Sequence, residues 1–169
     1  MTVITRFWSP CLVYTNLNTA CYAIAGYTVA ASVVLITLTK YMMAGGESTE
    51  LYFPFFENDV RNSMITYGTI AIVFLFYMIL SAAALVHGVL TSLRGYLLPW
   101  LFGMMFIILF QLLWSIWLLY GYYIYIQIVV PAIIYWLWAA YNFYCWLCVY
   151  TQYKIIARMQ SPNIELIYS

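Results

Sequence analysis

The sequence predicts an all-α integral membrane protein, a bundle of four transmembrane helices. Three observations carry that reading. Residues 95–153, between Arg94 and Lys154, form a run of 59 positions without Asp, Glu, Lys or Arg, whereas one transmembrane helix needs about 20 residues. Charged residues make up 7% of the chain and hydrophobic ones 67%, against about 25% charged in ordinary globular domains. Aromatic residues reach 21%, led by 18 Tyr and 7 Trp, and rings with one apolar and one wet end suit the two faces of a bilayer. A length of 169 residues fits one small domain. A net charge of +1 leaves no basic surface for nucleic acid.

Residues 1–16 are a short N-terminal arm with one charge, Arg6. Residues 17–39 are uncharged, and Lys40 marks their far edge, which predicts the first span. Ala23-Ile24-Ala25 imitates a signal-peptide cleavage site, but the apolar run continues well past it, so an uncleaved helix is expected. Residues 40–63 are a polar, acidic loop: Gly45-Gly46 breaks the helix, and Glu47, Glu50, Glu57, Asp59 and Arg61 follow. Ser63 is placed to cap the second span, residues 64–90, which ends near His87-Gly88. Residues 91–96 form a turn that carries Arg94. Pro99 falls in the first turn of the third span, residues 97–120, where its missing N–H costs little. Residues 121–130 are a short, uncharged, Tyr-rich connection, and Pro131 opens the fourth span, residues 131–150. Residues 151–169 form a tail with Lys154, Arg158 and Glu165.

Arg6, Arg94, Lys154 and Arg158 all fall in the arm, the second connection and the tail. The positive-inside rule therefore predicts an N-in, C-in topology with the acidic loop outside. Lys40 and Arg61 depart from the rule, but both sit at helix edges where long side chains snorkel. On this topology Cys11, Cys21, Cys145 and Cys148 all lie at or near cytoplasmic helix ends, so disulfides are not expected. No Asn-x-Ser/Thr acceptor site for glycosylation occurs.

Lipid supplies no hydrophobic drive between helices, so small residues and polar contacts must hold the bundle together. Gly26 and Ala30 in the first span, and Ala84 and Gly88 in the second, are the expected packing faces. Gln111 lies about 21 Å into the third span and Asn142 about 17 Å into the fourth from the opposite side, at 1.5 Å per residue. In antiparallel neighbours these depths nearly coincide, so both amides are expected to face inward and to hydrogen-bond to each other or to backbone.

Chemistry is sparse. The single histidine, His87, reads as an interface residue at a helix end. No carboxylate lies within a span, which argues against proton-coupled transport. A metalloprotease would need a His-rich ligand set, and a nucleotide site a Gly-rich phosphate loop; neither occurs. The acids of the first loop match no calcium-loop spacing. No enzymatic activity, catalytic residue, metal or cofactor is therefore expected. The apolar patch Leu51, Tyr52, Phe53, Pro54, Phe55 and Phe56 in that loop is a candidate partner contact, with packing on the bundle or bilayer as the rival. Cys145 and Cys148 share a helix face near the membrane boundary, as candidates for S-palmitoylation or as simple packing residues. Tyr153-Lys154-Ile155-Ile156 has the form of a tyrosine-based sorting signal, although it abuts the membrane.

Several short motifs carry a likeness to a known family. They are Cys11 before the first span, Leu17-Asn18-Thr19-Ala20 entering it, Leu97-Leu98-Pro99-Trp100-Leu101 at the start of the third, and Val149-Tyr150-Thr151-Gln152-Tyr153 leaving the fourth. Over essentially its whole length the chain resembles the small arthropod tetraspan proteins related to the Pasiflora proteins of septate junctions. The resemblance implies no enzymatic activity and, for some members, a part in paracellular barriers. The function expected is thus organisation of cell–cell junctions in the plasma membrane. The partners would be membrane lipids and other membrane proteins, copies of itself included. A trafficking or accessory subunit in endolysosomal membranes, or beside a channel or receptor, is the alternative, and an oligomeric pore the third reading.

Overall fold

The computed structural model describes residues 16–44, 60–122 and 126–160, with side chains at 16–44, 65–121 and 129–160. Four helices account for nearly all of them: α1 (Leu17–Met43), α2 (Val60–Thr91), α3 (Leu98–Tyr122) and α4 (Ile126–Gln160). A 3-10 turn, Arg94–Leu97, leads into α3. All four helices are long and apolar enough to cross a membrane. At 27, 32, 25 and 35 residues they measure roughly 38–53 Å, against a hydrocarbon core of about 30 Å. The protein is an all-α, four-helix integral membrane bundle. Helix is the form the chain must take there, because lipid offers no partner to a backbone N–H or C=O.

Each helix end has a local cause. Asn16 caps α1 by accepting the Asn18 N–H at 3.1 Å. At the end of α2, Ser92 adopts a left-handed φ of 54°, and the Leu93 N–H reaches back to the Gly88 carbonyl at 3.0 Å. That six-to-one bond is a Schellman closure, with serine where glycine is usual. Gly88 is required there: a Cβ would lie 2.7 Å from Leu97 Cδ1 and 2.8 Å from Tyr96 Cβ. Gly88 therefore packs on its own turn rather than on a neighbouring span, while Ala84 is half-buried. Pro99 lies in the first turn of α3.

The helices differ from their expected limits in ways that follow from backbone pairing. α2 is already helical at Val60, so Ser63 lies inside it instead of capping it. α4 begins before Pro131 and holds it in its second turn, where the proline gives the Gln127 carbonyl no donor. α4 also continues through residues 151–160, expected as tail, because Gln152 and Ile156 are buried against the bundle.

The helices form an antiparallel ring. α1 lies along α2 and α3 along α4, while α2–α3 and α4–α1 touch over shorter stretches. Gly68 sets the α1–α2 approach, since a Cβ there would meet Met43 Sδ at 2.8 Å and Thr39 Cγ2 at 3.3 Å. Gly103 sets the α2–α3 approach, where a Cβ would meet Met78 Sδ at 2.5 Å. The expected packing face of α1 points the other way. Gly26 and Ala30 are exposed, and a Cβ on Gly26 would meet nothing within 4 Å.

The largest cluster of buried side chains lies in one half of the bundle. It joins Cys21, Ile24 and Ala25 of α1 to Met78–Val89 of α2, Leu97–Ile108 around the start of α3, and Cys145–Ile156 of α4. Trp100 fills its middle with 0% exposure. Its indole Nε1–H crosses the ring to donate to Thr28 Oγ1 at 3.2 Å, and Thr28 donates onward to the Ile24 carbonyl at 2.9 Å.

Candidate functional site

The most concentrated polar chemistry lies at mid-depth, where three helices meet. Gln111 of α3 and Asn142 of α4 are both buried. Asn142 Nδ2 donates to Gln111 Oε1 at 3.0 Å. Asn142 Oδ1 in turn accepts from the Tyr27 hydroxyl of α1 at 3.0 Å. That hydroxyl accepts from Trp138 Nε1 at 2.5 Å. The result is a directional chain, Trp138 to Tyr27 to Asn142 to Gln111. Tyr27 also meets the Tyr141 ring edge-on, with centroids 5.1 Å apart.

Depth alone places the two amides together. Tyr27 and Trp138 carry no such signal, because tyrosine and tryptophan are abundant throughout the chain. The arrangement satisfies polar groups against each other in hydrocarbon, where each unpaired one would cost several kcal/mol. Every link is a neutral donor or acceptor. The chain fixes the rotation of α1, α3 and α4 about their axes and brings no acid–base pair together.

Two further bonds pin one end of the bundle. Gln152 Nε2 donates to Asn18 Oδ1 at 2.8 Å, joining the α1 entry to α4. Gln160 Nε2 donates to the Ser92 carbonyl at 2.6 Å, joining the α4 end to the α2–α3 turn. Along α4, Phe143, Trp146, Tyr150 and Tyr153 stack ring on ring, with interplanar angles of 6°, 12° and 14°. Trp146 Nε1 donates to the Leu101 carbonyl at 3.1 Å.

The remaining sequence candidates are placed as follows. Cys145 and Cys148 are each 1% exposed and belong to the core with Cys21. S-palmitoylation needs a thiol that an acyltransferase can reach, so the packing reading replaces it. Tyr153–Ile156 is helical, and Ile156 is buried. A sorting signal must present both its tyrosine and its bulky residue, so that reading also falls. His87 is exposed and meets Tyr96 edge-on at 5.0 Å between centroids. Among the described residues no group of three or more His, Cys, Asp or Glu is placed to hold a metal. The patch Leu51–Phe56 lies outside the described residues. Comparison with protein-family models, with curated proteins and with solved structures gives no match to this chain.

Proposed function

We propose that this is a non-enzymatic tetraspan protein of cell–cell, septate-type junctions. It sits in the plasma membrane with both termini in the cytosol. It contributes to a paracellular barrier through lateral contacts in the bilayer and through its first extracellular loop. The observation that carries this reading is the outward face of α1. Ala23, Gly26 and Ala30 are exposed together there, and the space above Gly26 is open. Small residues on a lipid-facing surface let a second helix approach closely, which is what lateral assembly requires. Trp100, Met78 and Leu85 are wholly buried inside the bundle, which suits a scaffold. The resemblance to septate-junction tetraspans adds the cellular setting.

Localisation of the tagged protein in a polarised epithelium tests the proposal. Staining confined to lateral junctions, lost when residues 51–56 are deleted, is the expected result. Punctate endolysosomal staining would favour a trafficking subunit, and unchanged recruitment of the deletion variant would remove the loop contact.

A further inference from the structure

Every charged residue with a described side chain is basic: Lys40, Arg94, Lys154 and Arg158. All are exposed. Their depths are set by the polar layer of Tyr27, Gln111 and Asn142. Lys154 and Arg158 lie 12 and 16 residues beyond Asn142, about 18 and 24 Å along the helix. Arg94 lies 17 residues from Gln111 in the same direction, about 25 Å away. Lys40 lies 13 residues from Tyr27 toward the opposite end, about 20 Å. Half a bilayer measures about 15 Å to the edge of the hydrocarbon and about 20–22 Å through the headgroups. With the polar layer at the midplane, Lys154 and Lys40 fall within opposite headgroup bands, and Arg158 and Arg94 lie a few ångströms beyond the band of Lys154, so three cations stand on one side and one on the other.

Tertiary contacts bring the three to one end of the bundle. The Gln160–Ser92 bond of 2.6 Å fastens the last turn of α4 to the α2–α3 turn. Arg158 and Arg94 each stand two residues from it. Lys154 is held one turn deeper, with its Nζ 4.7 Å above the centre of the Tyr150 ring. That ring belongs to the aromatic stack on α4, so the ammonium sits where hydrocarbon gives way to headgroups.

We propose that the end of the bundle formed by Arg94, Lys154 and Arg158 is a binding surface for anionic phospholipid headgroups. Guanidinium and ammonium groups form charge-assisted hydrogen bonds to phosphate oxygens. The depth along the helices places Lys154 among the headgroups and the two arginines just outside them, within reach of their long side chains. Each such cation strengthens attraction to an anionic leaflet about fivefold. The surface stands independently of the junction reading.

The test uses the full-length protein in phosphatidylcholine vesicles containing dansyl-phosphatidylserine, with energy transfer from the protein's tryptophans as the signal. Dansyl-phosphatidylcholine is the neutral control. Preferential transfer to the serine lipid is expected, at least tenfold weaker in R94Q/K154Q/R158Q and unchanged in K40Q. Circular dichroism and thermal unfolding verify that the triple variant is folded. Raising the salt concentration reads the same electrostatics without mutation and should abolish the preference. A preference that survives the triple substitution, or that ignores salt, overturns the proposal. So does competition by soluble inositol hexakisphosphate at concentrations equal to the lipid, which would identify a site for free phosphates.

Discussion

The two halves of the bundle are built differently. In the half that holds the start of α1 and the end of α4, buried side chains from all four helices form one cluster around Trp100. In the half near the first and third connections, two close contacts join helices within the pairs α1–α2 and α3–α4. Thr39 and Met43 lie against Gly68, and Trp136 Nε1 donates to Ser115 Oγ at 2.6 Å. The polar chain of Trp138, Tyr27, Asn142 and Gln111 lies at the border between the two regimes. The difference teaches that mere apolarity does not join membrane helices. Lipid is as apolar as leucine, so helices associate where small residues permit close approach or where polar groups find each other. One half has Gly103 and Trp100 to draw the pairs together. In the other, Gly68 and the Trp136–Ser115 bond act within a pair.

Substitutions at three scales of effect test that contrast. The largest effect is expected for Trp100→Ala, which empties the middle of the cluster and leaves Thr28 Oγ1 without its cross-ring donor. A loss of about 3–5 kcal/mol is expected for a buried tryptophan, measured by reversible unfolding in mixed micelles. An effect no larger than that of a lipid-facing substitution would mean that the four-helix cluster is not the stabilising half.

Glycine replacements sharpen the comparison at intermediate scale. Gly103→Leu forces a side chain onto Met78 and Tyr77 and should cost about 1–3 kcal/mol. Gly26→Leu enters open space and should change monomer stability by less than about 0.5 kcal/mol. The same Gly26→Leu protein should lose self-association in crosslinking if the outward α1 face is the lateral contact. Equal destabilisation by both leucines would put α1 the wrong way round.

The smallest effect concerns the border. Asn142→Leu and Gln111→Leu, alone and combined, form a double-mutant cycle whose coupling should be about 0.6 kcal/mol and no more than about 1.7. Zero coupling would show that the amides bond to other partners in the bilayer.

The exposed cations mark a second contrast. The packed end carries Arg94, Lys154 and Arg158, the opposite end Lys40. The two asymmetries coincide, so the better-packed half is also the more basic one. Where α4 continues beyond its expected limit, Gln152 and Ile156 turn inward while Lys154 and Arg158 stay outside.

Much of the fold was legible in the residues themselves. Uncharged runs separated by Gly45-Gly46 and by Arg94, the last long enough to cross twice, point to four spans, because an unpaired charge in hydrocarbon is too costly to hide, although Pro131 lies inside α4 and does not open it. Pro99 marks the start of α3 because it lacks a donor that a first turn does not need. The meeting of Gln111 and Asn142 followed from helical rise, a fixed length per residue. Helix rotation was not legible. A water-soluble helix shows its inner face as an apolar stripe, but a helix in lipid is apolar all round. Only tertiary packing could decide that Gly26 and Ala30 face outward, that Gly68 and Gly103 are the close approaches, that Cys145 and Cys148 are buried, and that Tyr27 and Trp138 complete the polar chain. The sequence alone determined that four segments are long and apolar enough to cross a membrane, because solvation acts on each segment separately. The faces that meet were left to packing, because that depends on the shapes of several helices at once.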